Sequence, residues 1–117
     1  MIAEELKEYN SLPPEGKDAY NSGMRANPGW THSQALTYTY IVLAALDPTK
    51  NPIPPGGPTD GNEFNKIYQA ILIKAQQFIQ RDFPRIYHQV KETFKKAIDW
   101  LSTTIEVTIN KIIDFFK

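Results

Sequence analysis

Residues 83–117 read FPRIYHQVKETFKKAIDWLSTTIEVTINKIIDFFK, and apolar residues recur along this stretch at intervals of eleven. One row of the repeat consists of Phe83, Phe94, Ile105 and Phe116. Eleven residues complete three turns at a period of about 3.67, so the rows fall on one face of an α-helix. The pattern predicts an all-α fold with a long amphipathic C-terminal helix after Pro84.

The length of 117 residues suits one domain, and we expect residues 1–117 to form a small helical bundle of about four to five helices. Short, weak helices and turns are predicted over residues 1–30, because glycines and paired prolines interrupt the apolar spacing there. Residues 47–62 hold five of the nine prolines and three of the six glycines, which predicts a Pro/Gly-rich loop.

A buried core helix is predicted over residues 31–46. Thr31 precedes Gln34 by three residues, which is the spacing of a capping box at a helix start. The second half of the segment is apolar on nearly all sides, and such a helix has to be enclosed. A strand over residues 37–42 is the alternative, since aromatic and β-branched residues are frequent there.

The apolar pattern of residues 62–117 predicts two helices that are joined at Pro84. A proline inside a helix lacks an N–H donor and clashes with the preceding turn, so the chain either kinks or reverses as a hairpin there. The apolar stripe passes from Ile79 to Phe83 without losing its phase, which favours a kink.

The length of the C-terminal helix poses a second question. A continuous helix over residues 84–117 would measure about 50 Å. A compact chain of this size is only about 35 Å across. Either the helix breaks near Ser102, where β-branched residues follow, or it protrudes and buries its stripe on another chain.

The C-terminal segment carries more apolar residues than one buried face requires. Four positions of the main stripe are predicted to be buried, namely Phe94, Leu101, Ile105 and Ile112. The candidates for binding a partner are Trp100, Val107, Ile113, Phe115 and Phe116. We therefore expect a non-enzymatic protein that contacts another protein or a second copy of itself, as an oligomer subunit, an inhibitor or immunity-type binder, or an adaptor.

Membrane association through the amphipathic residues 97–117 is the alternative function, although the polar face lacks the many lysines and arginines of interfacial helices. Nucleic acid is not a favoured partner, because 13 basic and 13 acidic residues leave no net charge. The N-terminus lacks a signal-peptide pattern and no apolar run is long enough to span a bilayer, so a cytoplasmic location is predicted, with export by a signal-less route left open.

Catalytic and metal-binding patterns are few. Cysteine is absent, which excludes thiol chemistry and disulfides. His32 lies at the expected start of a helix, where a capping or exposed role is predicted, and His88 with Glu92 supplies only two of the ligands that a metal needs. Because no phosphate-binding loop or nucleophile motif occurs either, the sequence predicts no enzyme activity, no cofactor and no small-molecule substrate.

Overall fold

The computed structural model describes residues 2–46, 61–103 and 109–116. The described residues form helices and no strand, which confirms the all-α prediction. In chain order the helices are α1 (Ala3–Asn10), α2 (Pro14–Ala26), α3 (His32–Ala45), α4 (Gly61–Asp82), α5 (Pro84–Thr103) and α6 (Ile109–Asp114). The predicted loop lies outside the described residues up to position 60, and α4 already begins at Gly61.

Helix α3 begins with the predicted capping box. The Gln34 backbone N–H donates to Thr31 Oγ1 at 3.2 Å, and the Thr31 N–H donates to Gln34 Oε1 at 2.8 Å. The hydroxyls of Thr37 and Thr39 are buried and donate to carbonyls one turn back, at 2.8 and 2.7 Å. The strand alternative for residues 37–42 is therefore wrong, because the cap starts a helix and the helix itself satisfies the polar threonines.

The chain reverses at Pro84, and α4 packs against α5 in the antiparallel sense. Gln69 Nε2 donates to the Ile98 carbonyl at 3.2 Å, and Gln76 Nε2 donates to the Tyr87 hydroxyl at 3.4 Å. As residue numbers increase along α4, those of the contacting residues on α5 decrease. A single kinked helix does not permit this arrangement. Proline suits this reversal because its missing N–H costs nothing in the first turn of a helix.

Helix α5 ends at Thr103, and α6 is not a straight continuation of it. On one straight helix Phe94 and Phe116 would lie about 33 Å apart, yet their ring centroids are 5.4 Å apart. Helix α6 therefore folds back onto α5, which agrees with a break near Ser102 and not with a protruding helix. The molecule measures 44 × 27 × 27 Å, enough for the 20 residues of α5.

One apolar cluster joins α2 through α6. The most extensive helix packing is between α4 and α5, followed by α2 with α3 and α3 with α4. The largest fully buried apolar side chains are those of Leu36, Ile41, Ile71, Leu72, Ile79, Ile86, Phe94, Leu101 and Ile112. The burial predicted for Phe94, Leu101 and Ile112 is thus confirmed, whereas Ile105 lies outside the described residues.

Gly23 allows a close approach of two aromatic rings to α2. A Cβ at this position would lie 2.8 Å from Trp30 Cζ3 and 2.9 Å from Tyr38 Cδ2, both shorter than ordinary contacts. The Trp30 and Tyr38 ring centroids are 5.5 Å apart, so neither ring can move toward the other to make room for a Cβ.

We expect Gly23→Ala to lower the free energy of unfolding by about 1–2 kcal/mol, because overpacking outweighs the gain in helix propensity. Urea denaturation monitored by circular dichroism measures the change. Gly29→Ala is the matched control, since a Cβ at Gly29 meets nothing within 4 Å. An increase in stability for Gly23→Ala would show that the rings move aside at no cost.

Candidate functional site

Helix α1 buries a carboxylate, whereas its aliphatic side chain Leu6 is exposed. Among its residues Glu8 is the buried one, at 8% exposure. Leu6 is 47% exposed, and Ile2, just before the helix, is 59% exposed. Surface helices usually turn their apolar stripe toward the core. A buried charge requires ionic and hydrogen-bonded partners, so the groups that surround Glu8 determine how α1 is held.

Four side chains join Glu8 in what we call the Glu8 network: Glu4, Tyr20, His32 and Arg85. Glu8 Oε1 lies 3.2 Å from Arg85 Nη2 and 3.2 Å from His32 Nε2. Arg85 Nε also donates to Glu4 Oε1 at 2.8 Å, and His32 Nδ1 lies 2.9 Å from the Tyr20 hydroxyl. These contacts connect α1 to α2, α3 and α5.

The prediction of a capping or exposed role for His32 is wrong. Thr31 caps α3, whereas the side chain of His32 is 7% exposed and lies against the ring of Tyr20, with centroids 5.6 Å apart. Glu8 and Tyr20 are 24 and 12 residues away from His32 in sequence. No local spacing therefore indicates the network, because only the packing of α1 and α2 beside α3 brings its members together.

One tautomer of His32 suits both of its partners. A neutral imidazole donates from one nitrogen and accepts at the other. Donation from Nε2 to Glu8, with acceptance at Nδ1 from the Tyr20 hydroxyl, satisfies all three groups. Burial, with smaller contributions from Glu5, Tyr9 and Glu8, raises the pKa of Tyr20. The phenol thus remains a hydrogen-bond donor, which disfavours the ionised form that a nucleophile or base requires.

A cleft of about 740 Å³ opens beside the network, and we call it the α1 cleft. Its lining residues are Glu4, Lys7, Glu8, Ser11, Tyr40, Arg81, Asp82, Phe83, Pro84 and Arg85. Helix α1 forms one wall, and the α4–α5 reversal forms the other. Tyr40 and Phe83 are 7% and 8% exposed, with ring centroids 5.7 Å apart, and they give the cleft an aromatic floor.

The charges around the α1 cleft are largely paired with one another. Arg81 Nε donates to Asp82 Oδ1 at 2.8 Å. Arg85 bonds both Glu4 and Glu8. Three cationic and three anionic side chains therefore line the cleft without a field of one sign. Phosphates, nucleic acids and anionic lipids are attracted by fields of one sign, so this balance does not favour them as ligands.

Three tyrosines make stability sensitive to alkaline pH. Burial raises the pKa of Tyr40, with the charge of Asp82 as the next cause, and burial is also the leading cause of the raised pKa of Tyr20 and Tyr68. As pH rises past about 10, the tyrosines of the unfolded chain lose their protons first. Unfolding is then favoured, so the stabilisation present below pH 10 is lost with increasing pH.

We therefore expect the melting temperature to fall progressively between pH 10 and pH 12, and Tyr40→Phe to reduce that fall. Thermal denaturation at several pH values measures the effect, and absorbance at 295 nm follows tyrosine ionisation. A simultaneous titration of all six tyrosines near pH 10 in the folded protein would contradict the prediction.

The structure places most of the predicted partner-binding residues against the core. Ile113 and Phe116 are 9% and 6% exposed. Trp100 and Phe115 are half-buried and pack on each other, with ring centroids 4.9 Å apart. Val107 lies outside the described residues. The chain itself therefore covers much of the apolar surface that predicts a partner, and Trp100 with Phe115 retains the most exposed part of it.

The described residues carry neither a metal-binding cluster nor a membrane-spanning helix. No group of three or more His, Cys, Asp or Glu side chains is arranged there to hold a metal ion, and His88 is exposed. None of the helices, as far as the structure describes them, combines the length and the apolar character that crossing a bilayer requires.

Comparisons of the chain with protein-family models, curated proteins and solved structures found no match.

Proposed function

We propose that this protein binds another protein at the α1 cleft and performs no chemical step. The observation that carries the proposal is the combination of an aromatic floor, from Tyr40 and Phe83, with a rim of mutually paired charges. Protein interfaces are enriched in aromatic residues and arginine. Arg81 and Arg85 on the rim fit that composition.

The α1 cleft lies apart from the C-terminal apolar residues that the sequence indicates as a contact surface. The sequence suggests binding through Trp100, Ile113 and neighbouring apolar residues, but α6 turns Ile113 and Phe116 toward the core. The α1 cleft requires no such residue to leave the core. An oligomer subunit, an inhibitor or immunity-type protein and an adaptor all use a surface of this kind.

Membrane association remains the second candidate function, because residues 97–117 have an amphipathic pattern. The covered positions of Ile112, Ile113 and Phe116 support it less than the sequence alone does. A helix that lies in a lipid interface inserts its apolar face among the acyl chains, so α6 would first have to leave the core.

A photo-crosslinking amino acid at Ser11 tests the proposal, since Ser11 is exposed and lines the cleft. The control carries the same group at Asp18, an exposed position of α2 outside the cleft lining. We expect irradiation to give a discrete product from Ser11 and none of that mass from Asp18. A product from purified protein identifies a second copy, whereas one that forms only in cell extract identifies a different protein.

Arg81→Glu tests whether the cleft rim contributes to binding, because it reverses a rim charge on an exposed side chain. It should reduce the Ser11 product at least fivefold. Identical products from Ser11 and Asp18, or a product unaffected by Arg81→Glu, would contradict binding at this cleft. Co-sedimentation of the purified protein with anionic liposomes, without any Ser11 product, would favour the membrane alternative.

A further inference from the structure

We infer that α1 is a detachable wall of the α1 cleft, held against the other helices by the charged form of Glu8. Release of α1 is a property of this chain alone. Its consequence for the access of a partner rests on the proposed function.

The attachment of α1 differs from that of the other helices. Buried apolar residues join α2 to α6, and that cluster begins at Leu12, after α1 has ended. The apolar part of the α1 attachment is Tyr9, which is partly buried and meets Tyr20 edge to face with centroids 5.1 Å apart. Segments with few buried apolar contacts open at lower free energy than the core of the same protein. Loss of the Glu8 contacts should therefore free α1 first.

The contacts that hold Glu8 depend on the negative charge of its carboxylate. Arg85 and His32 both present donors to the same carboxylate oxygen, Glu8 Oε1. The titratable and charged groups around Glu8 are Glu4, Glu5 and Lys7 on α1, Tyr20 on α2, His32 and Tyr40 on α3, Arg81 and Asp82 on α4, and Arg85 on α5. A protonated Glu8 would bring a further donor to this site and would lose its ion pair with Arg85.

Arg85 and His32 share one anion, the Glu8 carboxylate. A neutral side chain at position 8 removes that anion, so we expect it to free α1 from the other helices.

Release of α1 would change the cleft directly. Helix α1 contributes Glu4, Lys7 and Glu8 to one wall, and Ser11 follows immediately after it. The aromatic floor of Tyr40 and Phe83 belongs to the helices that remain packed. Detachment thus widens the cleft and uncovers its apolar floor for a partner.

Amide hydrogen exchange on the purified protein, resolved by residue, tests the release without any partner. Protection factors should be measured at pH 7. In the wild type we expect the protection of α1 to be lower than that of α3, α4 and α5. In Glu8→Gln, whose amide oxygen accepts hydrogen bonds but carries no negative charge, α1 protection should be at least tenfold lower than in the wild type, with α3 to α5 unchanged.

Glu15→Gln is the matched control, because Glu15 is an exposed carboxylate of α2. It should behave as the wild type does. If Glu8→Gln does not fold, Arg85→Gln decides the question, since Arg85 is half exposed and also contacts Glu8. It should lower α1 protection at least threefold.

Two results would overturn the inference. One is equal α1 protection in the wild type and in the deciding variant, and the other is wild-type protection of α1 as high as that of α3. The proposed function has its own readout in the Ser11 crosslink. A released α1 without a crosslink would leave the release established and remove only its link to a partner.

Discussion

Phe94→Ala is expected to lower the free energy of unfolding by about 3–5 kcal/mol, the range for removal of a buried phenylalanine ring. Phe94 has no exposed surface and packs edge to face on Phe116, with ring centroids 5.4 Å apart. The variant leaves a cavity between α5 and α6 that neighbouring side chains fill only in part. Urea denaturation of wild type and variant measures the difference.

Ile73→Ala is the control for Phe94→Ala, since Ile73 on α4 is 42% exposed. Its cost should stay below about 1 kcal/mol, as is usual for partly exposed positions. A loss below about 1 kcal/mol for Phe94→Ala as well would mean that α6 does not pack on α5 in solution.

Ile112→Asp should prevent folding or destabilise the protein by about 4 kcal/mol or more, because it combines the loss of a buried apolar side chain with an unpaired buried charge. Ile112 has no exposed surface in α6. Circular dichroism at 222 nm and thermal denaturation report the outcome. Asn110→Asp adds the same charge to an exposed position of the same helix and should leave the melting temperature nearly unchanged.

The Ile112 experiment also separates a core from an interface between chains. If Ile112→Asp folded normally and changed only the solution mass, the C-terminal apolar face would be an interface, as the breadth of its apolar pattern suggests. Loss of folding at every concentration would place Ile112 in the core of a single chain. Light scattering over a hundredfold range of concentration provides the comparison.

The apolar spacing of the sequence was sufficient to predict the helices and much of the core. The burial of Phe94, Leu101 and Ile112 follows from periodicity, because residues spaced by a whole number of turns must share a face. The capping box at Thr31 was equally clear, since it depends on two residues of one turn. Local information was enough for both.

The positions at which the chain reverses were harder to predict than the helices. The unbroken phase of the stripe through Pro84 favours a kink, which is wrong, because a reversed pair of helices keeps the same phase and periodicity alone does not distinguish the two. The reversal is visible only through contacts between α4 and α5, such as that of Gln69 with Ile98. The return of Phe116 to Phe94 is likewise a tertiary contact.

The Glu8 network had no signal in the sequence. Glu8 lies among charged residues of an N-terminal helix that reads as solvated, and Arg85 is 77 residues away from it. A buried carboxylate is recognised only when its donors are seen around it. The α1 cleft was missed for the same reason, because its two walls come from opposite parts of the chain.

The polar attachment of α1 has a calorimetric consequence. The heat-capacity increase of unfolding arises from exposure of apolar surface, and polar exposure lowers it. Glu8 is the buried residue of α1, so detachment of this helix would add little to the heat-capacity change. A scanning calorimeter would therefore record the melting of α2 to α6 as the main transition, with α1 contributing almost no thermal signal of its own.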